Sequence, residues 1–174
     1  MNRVVVTGLG PVSAVGCGKE TFWQALTQGK AGFGPITLFD PVDSPSKVAA
    51  EVKDFALQDY LPRGKALARM HARPSQFALA SAALALEDAG LSQFDHETAG
   101  LAVGTGLANI ELVLKTWNLY QDSGFLSPIA AYQVFHHNIA CAMTSIFDLR
   151  GSCHTLSSGC NSGLDALGFA LRQI

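Results

Sequence analysis

The chain has 174 residues, a net charge of −2, 48% hydrophobic residues and 15% charged residues. That length supports one domain with a real core, and the composition indicates a well-buried α/β protein. The charge balance gives no electrostatic case for nucleic acid, and no apolar run reaches membrane-spanning length. The chain opens directly on a strand-like run with no signal-peptide pattern. Cys17, Cys141, Cys153 and Cys160 have no Cys-x-x-Cys spacing, so they are expected as reduced thiols in a cytoplasmic protein.

In chain order, Arg3 to Thr7 reads as a short apolar strand suited to the middle of a sheet buried on both faces. Gly8-Leu9-Gly10 follows and reads as a tight turn. It is no dinucleotide fingerprint, because Ser13 holds the third glycine slot and no acidic residue lies about 20 positions on. Lys19 to Gln28 is predicted helical, with Phe22, Trp23 and Leu26 on one face and Gly29 as its stop. Residues 31–47 are irregular, and Val48 to Val52 is a candidate strand. Residues 53–74 mix loop and short helix and carry Arg63, Lys65, Arg69 and Arg73, charges that ordinarily only solvate a surface.

Ser75 to Ala89 is the longest clear helix, capped by Ser75 and ended by Gly90. Ala99 to Gly104 is a second buried strand, running into Gly104-Thr105-Gly106. Asn109 to Gln121 is helical, and Asp122-Ser123-Gly124 breaks it. Ala130 to Phe147 is predicted as a further helix. His136, His137 and Cys141, or Cys153, His154 and Cys160, lack zinc-site spacing, so no metal is expected. His136 and His137 are read instead as capping or lining a subunit contact.

The most informative stretch is Ser157-Ser158-Gly159-Cys160-Asn161-Ser162-Gly163. A β-type run, His154 to Ser157, leads in, and an apolar helical run, Leu164 to Ile174, leads out. A sulfur at such a junction faces the unpaired N–H groups and positive end of the helix, which favours thiolate. Gly159 and Gly163 permit the sharp turn. The alternative is an inert buried cysteine. A serine-hydrolase elbow is excluded, because its glycine spacing would put Asn161 in the nucleophile slot.

The stretch from Gly151 to Gly168 resembles the active-site segment of β-ketoacyl-acyl-carrier-protein synthases. Val4 to Ser13 resembles their opening segment. Further similarity lies in Phe22 to Leu26, Ala83 to Gly90 and Val103 to Gly106, in family order along the whole chain. The form Ser-Gly-Cys-Asn-Ser-Gly-Leu-Asp-Ala is closest to the catalytic ketosynthase subunit of type II polyketide systems; fatty-acid enzymes more often carry Thr-Ala-Cys.

The resemblance implies a thiolase-like α/β fold, five-layered αβαβα when complete, of which residues 1–174 would be most of the N-terminal half. It implies a decarboxylative Claisen condensation with Cys160 as the acylated nucleophile and substrates carried on the phosphopantetheine arm of acyl carrier protein, with no further cofactor. Leu107 would line the acyl pocket, though an ordinary core leucine is the alternative. Arg63, Lys65, Arg69 and Arg73 would lie near carrier-protein and dimer surfaces. Implied partners are acyl carrier protein, a C-terminal half bearing two histidines and a glycine-rich loop, and a second subunit, for which a chain-length factor is one candidate. The family usually carries Val-Pro near His136, so that segment departs from the pattern. Three other readings stay open: a fatty-acid elongation synthase, a non-catalytic partner subunit, and a thiolase-like enzyme acting on coenzyme A esters. Cys160 speaks against the non-catalytic subunit, which typically replaces it.

Overall fold

The computed structural model describes residues 3–174. Its longest helix, here α3, runs Arg73–Asp88. Pro74 sits in the first turn, where a missing N–H costs nothing, and Gly90 ends the helix at φ +65°, its N–H on the Glu87 carbonyl at 2.9 Å. Ser75 was expected as the cap. It lies instead inside the helix, fully buried, and donates its hydroxyl to Asn138 Oδ1 at 3.0 Å. Leu79 and Ala80 form the core with Leu57, and Phe55, Tyr60, Leu67, Met143 and Ile146 pack around them.

Three elements lie on or beside this helix. A hairpin pairs β1 (Val12–Ser13) with β2 (Gly16–Cys17). Helix α1 (Lys19–Thr27) follows within one residue of its expected end, stopped at Gly29 with φ +65°. Of the face read as Phe22, Trp23 and Leu26, Trp23 and Leu26 are exposed, and Ala25 is the residue the helix buries. Lys19 pairs with Asp88, whose other oxygen accepts the Leu9 N–H at 2.9 Å. Lys19 is the first cause holding the Asp88 carboxyl below its ordinary pKa.

The run Arg3 to Thr7 is not the buried central strand its sequence suggests. Among the described residues no strand pairs with it, and Val5 and Val6 are exposed. A strand is a property of a pair, so an apolar run supplies only half of one. Gly8 and Gly10 also serve a different purpose from a tight turn. They cross α3 at backbone contact: a Cβ on Gly8 would lie 2.1 Å from the Ala85 carbonyl oxygen, and one on Gly10 1.9 Å from that of Ser81.

β3 (Gly34–Pro35) pairs with β4 (Val48–Ala49), which is shorter than the expected strand to Val52. After a 3-10 turn at Leu57–Asp59 comes α2 (Gly64–Met70). Arg73 is no solvating surface charge. Its guanidinium lies 4.9 Å from the Phe55 ring centre and 4.7 Å from that of Phe77, and it donates to the Val52 carbonyl at 2.9 Å.

The remainder positions the site. Strand β5 (Leu101–Gly104) pairs in parallel with β6 (Cys153–Leu156), Leu101 opposite Cys153 and Gly104 opposite Leu156. Between them run α4 (Ile110–Ser123), α5 (Ala130–Gln133) and α6 (Asn138–Phe147). The single helix expected over 130–147 is broken at residues 134–137. The carbonyls of Tyr132 and Gln133, which would continue it, are taken by the side-chain amides of Asn138 (2.9 Å) and Asn109 (2.7 Å). Helix α6 packs on β5, β6 and α3, and α7 (Ser162–Gln173) packs on β5 and β6.

Candidate active site

β6 ends at Leu156, and α7 begins at Ser162. The chain turns between them through Gly159, at φ +67°, and a single 3-10 turn over Gly159–Asn161. Cys160 sits in that turn, exposed, two residues before α7. The unpaired N–H groups and positive end of a helix stabilise negative charge placed there.

Three sets of contacts fix the turn. Ser162, buried, accepts the Ser158 N–H at 2.9 Å and donates to the Gly159 carbonyl at 2.7 Å. Asp165, one turn into α7, accepts from the Ser158 hydroxyl and from Asn161 Nδ2 at 3.0 Å, so one carboxylate holds both sides of Cys160. Gly104, the last residue of β5, lets the start of α7 lie directly on the strand: a Cβ there would stand 2.1 Å from the Ser162 carbonyl oxygen.

Beside the turn runs the loop Thr105 to Asn109, joining β5 to α4. The Thr105 N–H donates to the Leu156 carbonyl at 3.0 Å, and the Ser157 hydroxyl to the Gly106 carbonyl at 3.3 Å. Leu107 is on this loop and is 70% exposed, so the core of this chain does not bury it. The two positions singled out from the sequence, Cys160 and Leu107, thus lie on neighbouring segments.

The other cysteines have different surroundings. Cys17 is half-buried and bonded to Tyr60, whose hydroxyl is pushed up to about 12, first by burial and then by that bond. Cys141 is half-buried in α6. Cys153 is exposed in β6, and partial desolvation, with Cys141 nearby, pushes its thiol up. His136 and His137 are exposed; His137 stacks on Phe135 at 5.4 Å and, at the N-cap position of α6, makes no side-chain cap bond. Among the described residues no three His, Cys, Asp or Glu side chains cluster as metal ligands would.

Sequence reasoning missed Asp165 and Ser162 as holders of the turn. The Asn161–Asp165 spacing of four is a legible helical signal. It missed the buried pair Asn109 and Asn138 outright, because their contacts join residues 29 positions apart.

A parallel strand pair delivers an exposed cysteine to the start of a helix, on a turn fixed by its own side chains, in an α/β protein. The chain belongs to the β-ketoacyl synthases: the family described as "Beta-ketoacyl synthase, N-terminal domain" matches residues 1–174. It is 36% identical over 99% of its length to 3-oxoacyl-[acyl-carrier-protein] synthase 2 of Coxiella burnetii, of which it covers 42%. It is 33% identical over 99% of its length to a Streptomyces coelicolor relative named for the actinorhodin polyketide β-ketoacyl synthase 1, covering 38% of it. Among solved structures, a β-ketoacyl synthase from Burkholderia phymatum is 28% identical with a TM-score of 0.82, over 100% of this chain and 44% of that one. The chain therefore spans less than half the length of these relatives.

Proposed function

We propose that the protein is a ketosynthase that condenses an acyl group held on Cys160 with a malonyl unit. The exposed sulfur at the helix start, on a turn clamped by Asp165, carries this reading. Cys160 attacks the thioester of an acyl chain on the phosphopantetheine arm of a carrier protein. A new S–C bond forms, the old one breaks, and the carrier thiol leaves. A malonyl thioester then loses CO₂, and the enolate carbon attacks the Cys160 thioester. The Cys160 thiolate departs, leaving a β-ketoacyl thioester two carbons longer. The Cys160 N–H is one candidate oxyanion donor. No cofactor beyond the carrier arm is invoked.

The Ser-Gly-Cys-Asn-Ser-Gly form favours a type II polyketide system. Fatty-acid elongation is the second reading, favoured by the higher identity to the Coxiella enzyme. The two differ in the chain grown, so turnover with saturated acyl chains against poly-β-keto chains separates them.

The rest of the assembly follows from the same reading. A C-terminal half would supply the enolate-stabilising histidines and complete a five-layered thiolase-like body, covering the outward side of α7. The active form would be a dimer, either of like subunits or with a chain-length factor, in the cytoplasm; light scattering of an active monomer would refute this. Lys65 and Arg69 on α2, with Arg63 just before it, are exposed and suit an acidic carrier protein. Arg73 is excluded from that surface by its place between two phenylalanines.

The test is incubation of the full-length protein with acyl-carrier protein, followed by peptide mass spectrometry. The adduct is expected on Cys160, and Cys160→Ala is expected to abolish condensation. Label on Cys17, Cys141 or Cys153 with Cys160 clean overturns the assignment. Loading from coenzyme A esters but not from carrier protein overturns the substrate.

A further inference from the structure

The loop that carries Leu107 is fastened at both ends. On one side the Gly106 carbonyl accepts from Ser157, next to the Cys160 turn. On the other, Ala108 stands at φ +44°, a left-handed conformation that a residue with a Cβ rarely adopts, its N–H donating to Thr105 Oγ1 at 3.0 Å. The next residue, Asn109, is buried. Its amide nitrogen donates to the Gln133 carbonyl at 2.7 Å and to Asn138 Oδ1 at 3.1 Å. Asn138, wholly buried, accepts also from the Ser75 hydroxyl of α3 at 3.0 Å and donates to the Tyr132 carbonyl at 2.9 Å. A buried polar chain of this kind is costly to leave unpaired, and it holds one arrangement of the segments it joins.

We infer that Asn109, Asn138 and Ser75 are positioning residues that set where Leu107 stands beside Cys160, and so which acyl lengths the cysteine accepts. This rests on the reading of Cys160 as the acylated nucleophile and of Leu107 as a residue lining its acyl pocket. The Cys160 turn is held separately, by Ser162, Asp165 and the close approach at Gly104. Loosening the relay therefore moves Leu107 relative to a sulfur that stays where it is. Ser75 is tied to the loop by hydrogen bonds through Asn138 and Asn109.

The experiment compares Cys160 loading by acyl-carrier proteins bearing short and medium chains, in the full-length protein and in Asn109→Ala, Ser75→Ala and Leu107→Ala. Iodoacetamide alkylation of Cys160 serves as the measure of the sulfur itself. Asn109→Ala is expected to shift the ratio of medium- to short-chain loading by roughly tenfold, the discrimination one methylene commands in an apolar pocket. Ser75→Ala, the mildest change, is expected to shift it in the same direction by less. Alkylation is expected to stay at the wild-type rate. Combining Asn109→Ala with Leu107→Ala is expected to add little to Leu107→Ala alone. Equal losses at every chain length, or effects that simply add, overturn the inference while leaving the nucleophile standing. A wild-type protein that carries no acyl group on Cys160 overturns both.

Discussion

Helices α3 and α7 present similar apolar content to very different surroundings. α3 buries Leu79 and Ala80 against Leu57 and the side chains around it, so its apolar face is closed by residues of this chain. α7 buries Ser162 and Ala166 against the β5–β6 pair and leaves Leu164, Leu167, Leu171 and Ile174 exposed, spaced three and four apart along one stripe. Amphipathic spacing tells which side of a helix seeks cover, and the rest of the assembly decides whether that cover is present.

The largest effect is expected on the closed side. Leu79→Ala removes a fully buried side chain at the centre of the core and should destabilise the protein by about 2–5 kcal/mol, read from urea unfolding. A smaller loss would mean that α3 is less tightly covered than its burial indicates.

α7 tests the contrast from the other side. If the proposed C-terminal half packs on the stripe, Leu167→Ser in the full-length protein should cost about 1.5–3 kcal/mol, as for any apolar side chain fully removed from water. A change within about 0.5 kcal/mol, the usual range for a surface substitution, would leave the stripe facing solvent and the proposed cover elsewhere.

The smallest effect is a pH dependence at the base of α3. His71, buried between α2 and α3 with Nδ1 unpartnered, has its pKa lowered by burial. The unfolded chain takes up that proton near pH 6.5, and the folded chain only at lower pH. Stability from this group is therefore intact above about pH 6.5 and declines as the pH falls below it. The wild-type urea midpoint should drop between pH 7.5 and 5.5, and His71→Gln should drop less. An equal drop in both would place the acid sensitivity elsewhere.

Much of this could be read from local chemistry. The stops of α1 and α3 were legible because Gly29 and Gly90 take the left-handed conformation that ends a helix. The turn at Cys160 was legible from Gly159 and the apolar run beyond, whereas Gly163, expected to share in the turn and its packing, lies inside α7 with no atom within 4 Å of where its Cβ would stand. What the sequence hid was set across long separations. Ser75 looks like a cap until Asn138, 63 residues on, takes its hydroxyl. The predicted helix over 130–147 looks continuous until Asn109 claims the Gln133 carbonyl. Arg73 looks like a surface charge until Phe55 and Phe77 close over it. Val5 and Val6 look like core because an apolar run cannot state whether a neighbouring strand exists.

The Asp165 clamp has a consequence for timing. Ser158 and Asn161 are both moored to one carboxylate, so the peptide groups on either side of Cys160 belong to a small closed ring of chain. A ring of this kind has few torsions left to adjust, whatever group the sulfur carries. If Cys160 is the acylated nucleophile proposed above, its loading and unloading would require little rearrangement of its own frame.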